Sequence, residues 1–397
     1  MNAKKLIALA LALCLALSLA ACGLGGEVDL AGGKNDPDSQ TGQTGQTGQT
    51  PDFAVDYAAA YETWPADAVV FTVNGETVTW DVYYYWLYNI ASQIEAYYGP
   101  VSDWDAAGLF DDETTYNQYV ADMARDMAAE YVVIRGMAAE QGITLTEDDR
   151  AQLEALRQSD ADTYADGDLD GLREYLKMAY LSEDYYNCIN ETALLYQRLF
   201  ASLYGENGAQ LSDEEASAFI ESGGYLRAKH VLLMTVDEDG APIPEAEKAE
   251  KLAQAKQIAS ELRAAPHPET AVDEFIRQYN EDPGMEVYTD GYVFGPGQMV
   301  QAFYDAAQAL SENEVSEPVE SSYGYHVIVR LPISPDMTPL DSTQTLRTMA
   351  AASQFSTVVT GWLDSAEIVW QDDFEGFTPG GLFGPLTDLS KTAKSEN

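Results

Sequence analysis

The sequence predicts an α+β protein, and three observations carry that class. A hairpin signal near residue 74 opens a long stretch of helical pattern that runs to about residue 203. Two later runs, Leu226–Met234 and Gly324–Leu331, are short, apolar and β-branched, as strands are. Repeated strand–helix units are missing, which argues against a doubly wound parallel sheet and against a transporter-associated solute-binding lipoprotein.

At 397 residues the chain is too long for one ordinary core, so two or three units are expected. A hydrophobic share of 46% supports real cores. Lys+Arg number 21 against 66 Asp+Glu, a formal charge of −45. That field repels nucleic acid and anionic headgroups and favours solubility and basic clients. Cys14 and Cys22 lie in or at the end of the apolar leader and Cys188 stands alone in the body, so neither an internal disulfide nor a zinc spacing is expected.

Residues 1–21 combine Lys4 and Lys5 with an apolar run from Leu6 to Ala20, the pattern of a secretory signal. The run ends in Leu19-Ala-Ala-Cys22-Gly23, which resembles the lipobox of bacterial lipoproteins. That resemblance implies cleavage before Cys22, lipidation of its sulfur, and a protein anchored to the extracytoplasmic face of the cell membrane. The other reading is an ordinary signal peptide with a chance cysteine. Two or more acyl chains hold stably, because each buried methylene contributes roughly 0.8 kcal/mol. Residues 22–60 begin as a Gly-rich tether with repeated Thr-Gly-Gln, which cannot bury a core. About 30 such residues span about 30 Å by square-root scaling.

Residues 61–221 form the first folded segment. Asn74-Gly75 between two β-prone runs signals a hairpin. Asp81 is placed to cap a helix to Tyr97, which Gly99-Pro100 stops. Its rings at 83–86, 88, 97 and 98 are read mainly as packing, with an aromatic surface for unfolded segments as the other possibility. A helix over about 116–141 carries Met123, Met127, Tyr131 and Ile134 as a core stripe. Thr146-Glu-Asp-Asp149 opens a third helix as a capping-box variant. Stretches 169–180 and 183–203, and a short helix capped near Ser212, complete the segment. Later, Pro332, Pro335 and Pro339 forbid a helix, residues 341–365 are helix-compatible, and Ala366–Trp370 is strand-like. The Gly/Pro-rich residues 373–397 read as an unstructured tail.

The information is densest over residues 226–331. Lys229-His230 stands in one strand and Gly324-Tyr-His326 opens the last. Gly297-Gln-Met299 with Phe303, then Val315-Ser-Glu-Pro-Val319, lie between them. These motifs, in this order over about a hundred residues, resemble the parvulin family of peptidyl-prolyl isomerases. The resemblance implies that residues 222–332 form a small antiparallel sheet with surrounding helices. It further implies that this domain is inserted into a mostly helical, chaperone-like domain onto which residues 333–372 return to pack.

Rotating an X-Pro bond breaks no covalent bond, but amide resonance sets a barrier of ~20 kcal/mol. A catalyst needs neither nucleophile, metal nor cofactor; it must bind the twisted amide more tightly than the planar one. Four decades of rate require only about 5.5 kcal/mol. By resemblance, Met299 and Phe303 form the cup for the proline ring, four residues apart and on one face if the turn runs into a helix, with Phe294 near its rim. His230 and His326 match the paired histidines of adjacent central strands, each fixing the other's tautomer. Asp282, twelve residues before Phe294, matches the family's Cys or Asp. There a carboxyl raised in pKa by apolar surroundings would polarise the amide, although Asp282-Pro-Gly is also a turn starter. Ser321 matches a family hydroxyl.

One departure stands out: the family's Gly-Asp-Leu-Gly becomes Thr289-Asp290-Gly291-Tyr292, so an apolar wall residue is missing or replaced by Tyr292. Basic residues do not cluster before the cup, so a preference for phosphorylated substrates is not implied. The expected function is a membrane-anchored foldase acting on X-Pro bonds of unfolded or partly folded secreted polypeptides; the alternative is a holdase whose isomerase-like domain is inactive.

Overall fold

The computed structural model describes residues 54–108, 113–237 and 239–389 and resolves them into two compact units. The described residues up to Leu199 and from Phe355 onward form the first; those of Phe200–Gln354, between them in sequence, form the second. The lipobox with Cys22 and the Thr-Gly-Gln tether lie outside the described residues.

In the first unit, Val69–Val73 (β1) and Glu76–Thr79 (β2) form the expected hairpin. Its turn residues Asn74 and Gly75 have φ of 52° and 87°, both positive as a tight two-residue turn demands. Ile368–Trp370 (β7) adds antiparallel to the other edge of β1, pairing Phe71 with Trp370 and Val73 with Ile368. Thr79, not Asp81, is the N-cap of the helix Trp80–Tyr98; Asp81 sits in its first turn and accepts from the Thr79 hydroxyl. That helix buries Tyr83, Tyr84, Leu87, Ala91 and Ile94, an i, i+4, i+8 stripe, and leaves Tyr97 and Tyr98 84% and 66% exposed. Met123, Met127, Tyr131 and Ile134 are buried along the helix Tyr116–Glu140. Thr146 and Asp149 make both bonds of the capping box that opens Glu147–Tyr164.

Residues 373–389 differ from the unstructured tail the composition suggests for 373–397, of which 390–397 lie outside the described residues. Phe374, Leu382 and Phe383 are buried in the first unit's core. Phe383 meets Tyr57 at 5.4 Å and Trp104 at 5.6 Å between ring centroids. Gly380 lets the backbone lie against Trp104, where an added Cβ would lie 2.5 Å from the Trp104 Cβ. Residues 54–56 are drawn in too, since Asp56 N–H donates to the Leu386 carbonyl and Asp388 N–H to that of Ala54. Aromatic burial outweighs the glycine and proline content here, because each ring removes a large apolar area from water.

The second unit is built on a four-stranded antiparallel sheet of order β4-β3-β6-β5: Leu226–Met234 (β3), Tyr292–Phe294 (β4), Val319–Glu320 (β5) and Gly324–Leu331 (β6). Strand alternation divides it into two faces. Val231, Leu233, Val327 and Val329 pack with Ile258, Leu262 and Val272 of the helices Glu245–Ala264 and Pro268–Tyr279. Leu226, Ala228 and Ile328 pack on the other face with Phe303 and Ala307 of the helix Gln301–Ala309. The unit extends beyond the expected limits of 222 and 332. Arg347 donates to the Leu211 carbonyl and pairs with Asp213 and Asp336, and Ala350 and Ala351 pack against Leu211 and Ala216.

All six tryptophans lie in the first unit, so indole fluorescence follows that unit alone. Phe383→Ala should lower its stability by about 3–5 kcal/mol, the usual range for emptying a buried phenylalanine site. Denaturant titration read by tryptophan emission checks this; an unchanged midpoint would mean that the segment after 372 is not part of the core.

Candidate functional site

Register places the two histidines. β3 pairs with β6 so that His230 lies opposite Ile328 and Leu232 opposite His326, which sets both imidazoles diagonally on the Phe303 face. Both are buried, stacked at 26° with centroids 5.2 Å apart, and their Nδ1 atoms are 3.1 Å apart. Gly324 starts β6 at φ 152°, where a Cβ would lie 2.1 Å from the Leu233 carbonyl oxygen; the strand can close on β3 here only without a side chain.

Asp282 reaches the same pair from a loop pinned to β3 where β4 has ended. The Leu232 N–H donates to Asn280 Oδ1, and the Glu281 N–H donates to the Leu232 carbonyl. Asp282 Oδ2 then lies 2.8 Å from His230 Nε2. At the other end Ser321 Oγ lies 2.7 Å from His326 Nε2. The result is one chain, Asp282–His230–His326–Ser321.

Burial pushes the Asp282 carboxyl up. The hydrogen bonds and charge of His230, with donation from the Gly284 N–H and the Tyr292 hydroxyl, outweigh it and hold the group down at about 2. This corrects the expectation of a raised pKa: the surroundings are partly apolar, but they aim three donors at the carboxylate. Burial, then the neighbouring charge of His230, pushes His326 down to about 3, against the pull of Asp282. An ionised carboxylate only accepts, so His230 Nε2 carries a proton. When His230 is neutral its Nδ1 accepts from His326 Nδ1–H, His326 Nε2 accepts, and the Ser321 hydroxyl donates inward.

Phe303 stands edge-on to both imidazoles, with centroids 5.1 Å from His230 and 5.4 Å from His326. Met299 is half-buried in the same apolar cluster. It precedes the helix, whose N-cap is Val300, so the pair shares a cluster without sharing a helical face. Phe294 is fully buried behind Phe303 at 5.7 Å, so it supports the floor and is not at the rim. Residues 230–331 match the family described as the PPIC-type PPIASE rotamase domain. The chain carries a parvulin-type domain.

Relatives of this parvulin-type domain share only part of their length with the chain. The foldase protein PrsA of Halalkalibacterium halodurans is 32% identical over 123 residues, 31% of this chain and 32% of that protein. The chaperone SurA of Chromohalobacter salexigens is 40% identical over 78 residues, 19% of this chain and 18% of that protein. The chain thus matches about a third or less of these proteins' lengths. A solved structure of the peptidylprolyl isomerase PrsA from Bacillus cereus, 16% identical, covers 84% of this chain and 95% of its own at a TM-score of 0.27.

Sequence reasoning noted Tyr292 only as a departure and passed over Asn280 and Gly284. The signal for the last was the Asp282-Pro-Gly284 turn, whose first side chain commonly accepts from the residue two further on; here Gly284 N–H donates to Asp282 Oδ1 at 2.9 Å.

Stability of the second unit should follow His326. Its folded pKa is depressed from 6.5, so between pH 6.5 and about 3 the unfolded chain binds the extra proton. Stability is complete above 6.5 and declines as pH falls towards 3. Asp282 adds a loss only as pH falls from 3.8 towards 2. The far-UV unfolding midpoint of the wild type should therefore fall between pH 7 and pH 4.5 by more than that of His326→Asn. Equal falls in both proteins would show that the imidazole is not held neutral.

Proposed function

We propose that the protein is an extracytoplasmic foldase whose parvulin-type domain isomerises X-Pro bonds in unfolded or partly folded secreted polypeptides. One observation carries this reading: a half-buried Met299 beside Phe303, whose ring stands on two imidazoles of a fully bonded polar chain. A prolyl ring seated on that surface is desolvated while its amide lies near a fixed negative charge on Asp282. Resonance puts negative charge on the carbonyl oxygen of the planar amide and withdraws it as the bond twists. A carboxylate that stays ionised disfavours the planar form relative to the twisted one, and that difference is catalysis. No atom is transferred and no bond broken.

The first unit supports a chaperone contribution. Trp86, Ile90, Ile94, Tyr97, Tyr98 and Met123 line a cavity of about 290 Å³ within that unit. Such an adaptable aromatic and methionine surface suits apolar segments of unfolded chains. Among the described residues, helices long and apolar enough to cross a membrane are absent. Attachment falls in this reading to lipid on Cys22, with the charge of −45 turning the folded part away from nucleic acid.

Two measurements test these parts separately. In a prolyl-isomerisation assay on the purified protein lacking its leader, Phe303→Ala should lower kcat/KM about tenfold, roughly half of the 1.5–3 kcal/mol of burying such a side chain. A wild type that suppresses client aggregation without accelerating isomerisation would establish the holdase reading instead. Cys22→Ser should release the protein or leave it unprocessed. A mature-sized chain still in the membrane fraction would rule out the lipid anchor.

A further inference from the structure

We propose that Tyr292 is a positioning residue of this site: its phenol, seated in space that only Gly284 leaves open, locks the Asp282 carboxylate as the acceptor that orders the protons of the His230–His326–Ser321 chain. The inference rests on the isomerase reading for its effect on rate, but not for its effect on the imidazoles.

Tyr292 opens β4 opposite Ala228 and is 8% exposed. Its ring belongs to the apolar cluster of Phe294 and Phe303, so it restores the wall that the sequence suggested was lost. Its hydroxyl does something an aliphatic wall residue could not. It donates to Asp282 Oδ2 at 2.8 Å, the oxygen that His230 Nε2 meets at 2.8 Å, while the Gly284 N–H takes Oδ1. Three donors on two oxygens suit a carboxylate and not a carboxylic acid, whose own proton would displace one of them.

Gly284 is matched to this arrangement. A Cβ there would lie 1.8 Å from the Tyr292 hydroxyl oxygen, so any other residue evicts the phenol while keeping its own N–H. Position 284 is therefore an independent handle on the same bond. Around the carboxylate, His230 faces it from β3 and Tyr292 from β4, with the Tyr288 ring tilted against Tyr292 at 5.1 Å. His326 lies one ring further, from β6. The neighbouring Glu281 is taken up by Lys251 Nζ at 2.6 Å. Beside His230, the phenol is the side-chain donor on the Asp282 carboxylate among the described residues, and it stays neutral whatever the charge of His230.

Without that bond Asp282 Oδ2 keeps only His230 and Oδ1 only the Gly284 N–H, so the carboxylate is held by two donors instead of three and the direction of every later bond is less strictly set. A donor to the charged form has been removed, so protonation of Asp282 moves to higher pH.

The test uses the protein lacking its leader, labelled with ¹⁵N-histidine. Only three histidines contribute, and His267, 77% exposed at its side chain and beside Glu269, lies outside the chain of bonds and serves as the internal reference. In the wild type, neutral His230 should show an Nε2–H and His326 an Nδ1–H tautomer. In Tyr292→Phe and in Gly284→Ala both should move towards tautomer averaging, and the acid limb of kcat should shift to higher pH. The loss in kcat should be about three- to tenfold with KM little changed, the signature of an interaction made in the transition state. Unchanged imidazole signals and an unchanged acid limb in both folded variants overturn the proposal. So does a loss confined to KM, which would make Tyr292 wall and nothing more. If only one variant folds, that one decides. If the wild type has no isomerase activity, the reading of the reaction fails, and the tautomer signals alone still decide the role of the phenol.

Discussion

The antiparallel register of β3 on β6 is the constraint from which this domain's chemistry follows. With His230 opposite Ile328 and His326 opposite Leu232, the two rings share a face and their Nδ1 atoms come to 3.1 Å. Side chains alternate with a period of two, so a slip of one residue would send one histidine to the face packed by Ile258 and Leu262. Gly324 helps to hold the register, since β6 can start against the Leu233 carbonyl only where a side chain is absent. Lys229, the neighbour of His230 on β3, points to the other face and is ion-paired with Asp273. Even this short strand therefore keeps its polar residues in separate, satisfied environments.

Burying a chain of imidazoles, a hydroxyl and a carboxylate costs free energy unless every group is bonded. Each link here is answered, and the order begins at the one group that cannot donate. With His230 neutral, polarity runs from Ser321 inward to Asp282, which makes the loop 280–284 as important to the site as the strands. That loop is fixed by its bonds to Leu232, from the Asn280 side chain on one side and the Glu281 backbone on the other. The strand contributes the rings and the loop contributes the direction.

Much of this was legible in the sequence because it is local. Capping residues such as Thr146, the Asn74-Gly75 turn, the stripe from Met123 to Ile134 and the strand-borne histidines are set by near neighbours. What was not legible depends on distant ones. Phe294 is buried and not at a rim because Phe303 and Tyr304 cover it, and neither is visible from its own flanks. Asp282 is depressed rather than raised because Tyr292 and His230 arrive from two strands. Phe374 and Phe383 look like loop residues among glycines and prolines until rings some three hundred residues earlier, Trp80 and Tyr57, are brought beside them. The helices Glu245–Ala264 and Pro268–Tyr279 cover a whole face of the sheet without contributing a motif of the site.

The electrostatics also restrict what kind of catalyst the proposed site is. A group held at about 2 is no acid or base near neutral pH, since proton exchange works best with a pKa near the working pH. His326, held at about 3, is equally unavailable as a neutral-pH acid. Proton transfer is also not required, because twisting an amide exchanges no atoms. What remains for these residues is a fixed field beside an apolar seat. Such a field need supply only about 5.5 kcal/mol of preference for the twisted amide to give four decades of rate. A preorganised charge provides preference of this kind without rearranging at the moment of reaction, and a hydrogen-bonded chain anchored at both ends is what keeps that charge in place.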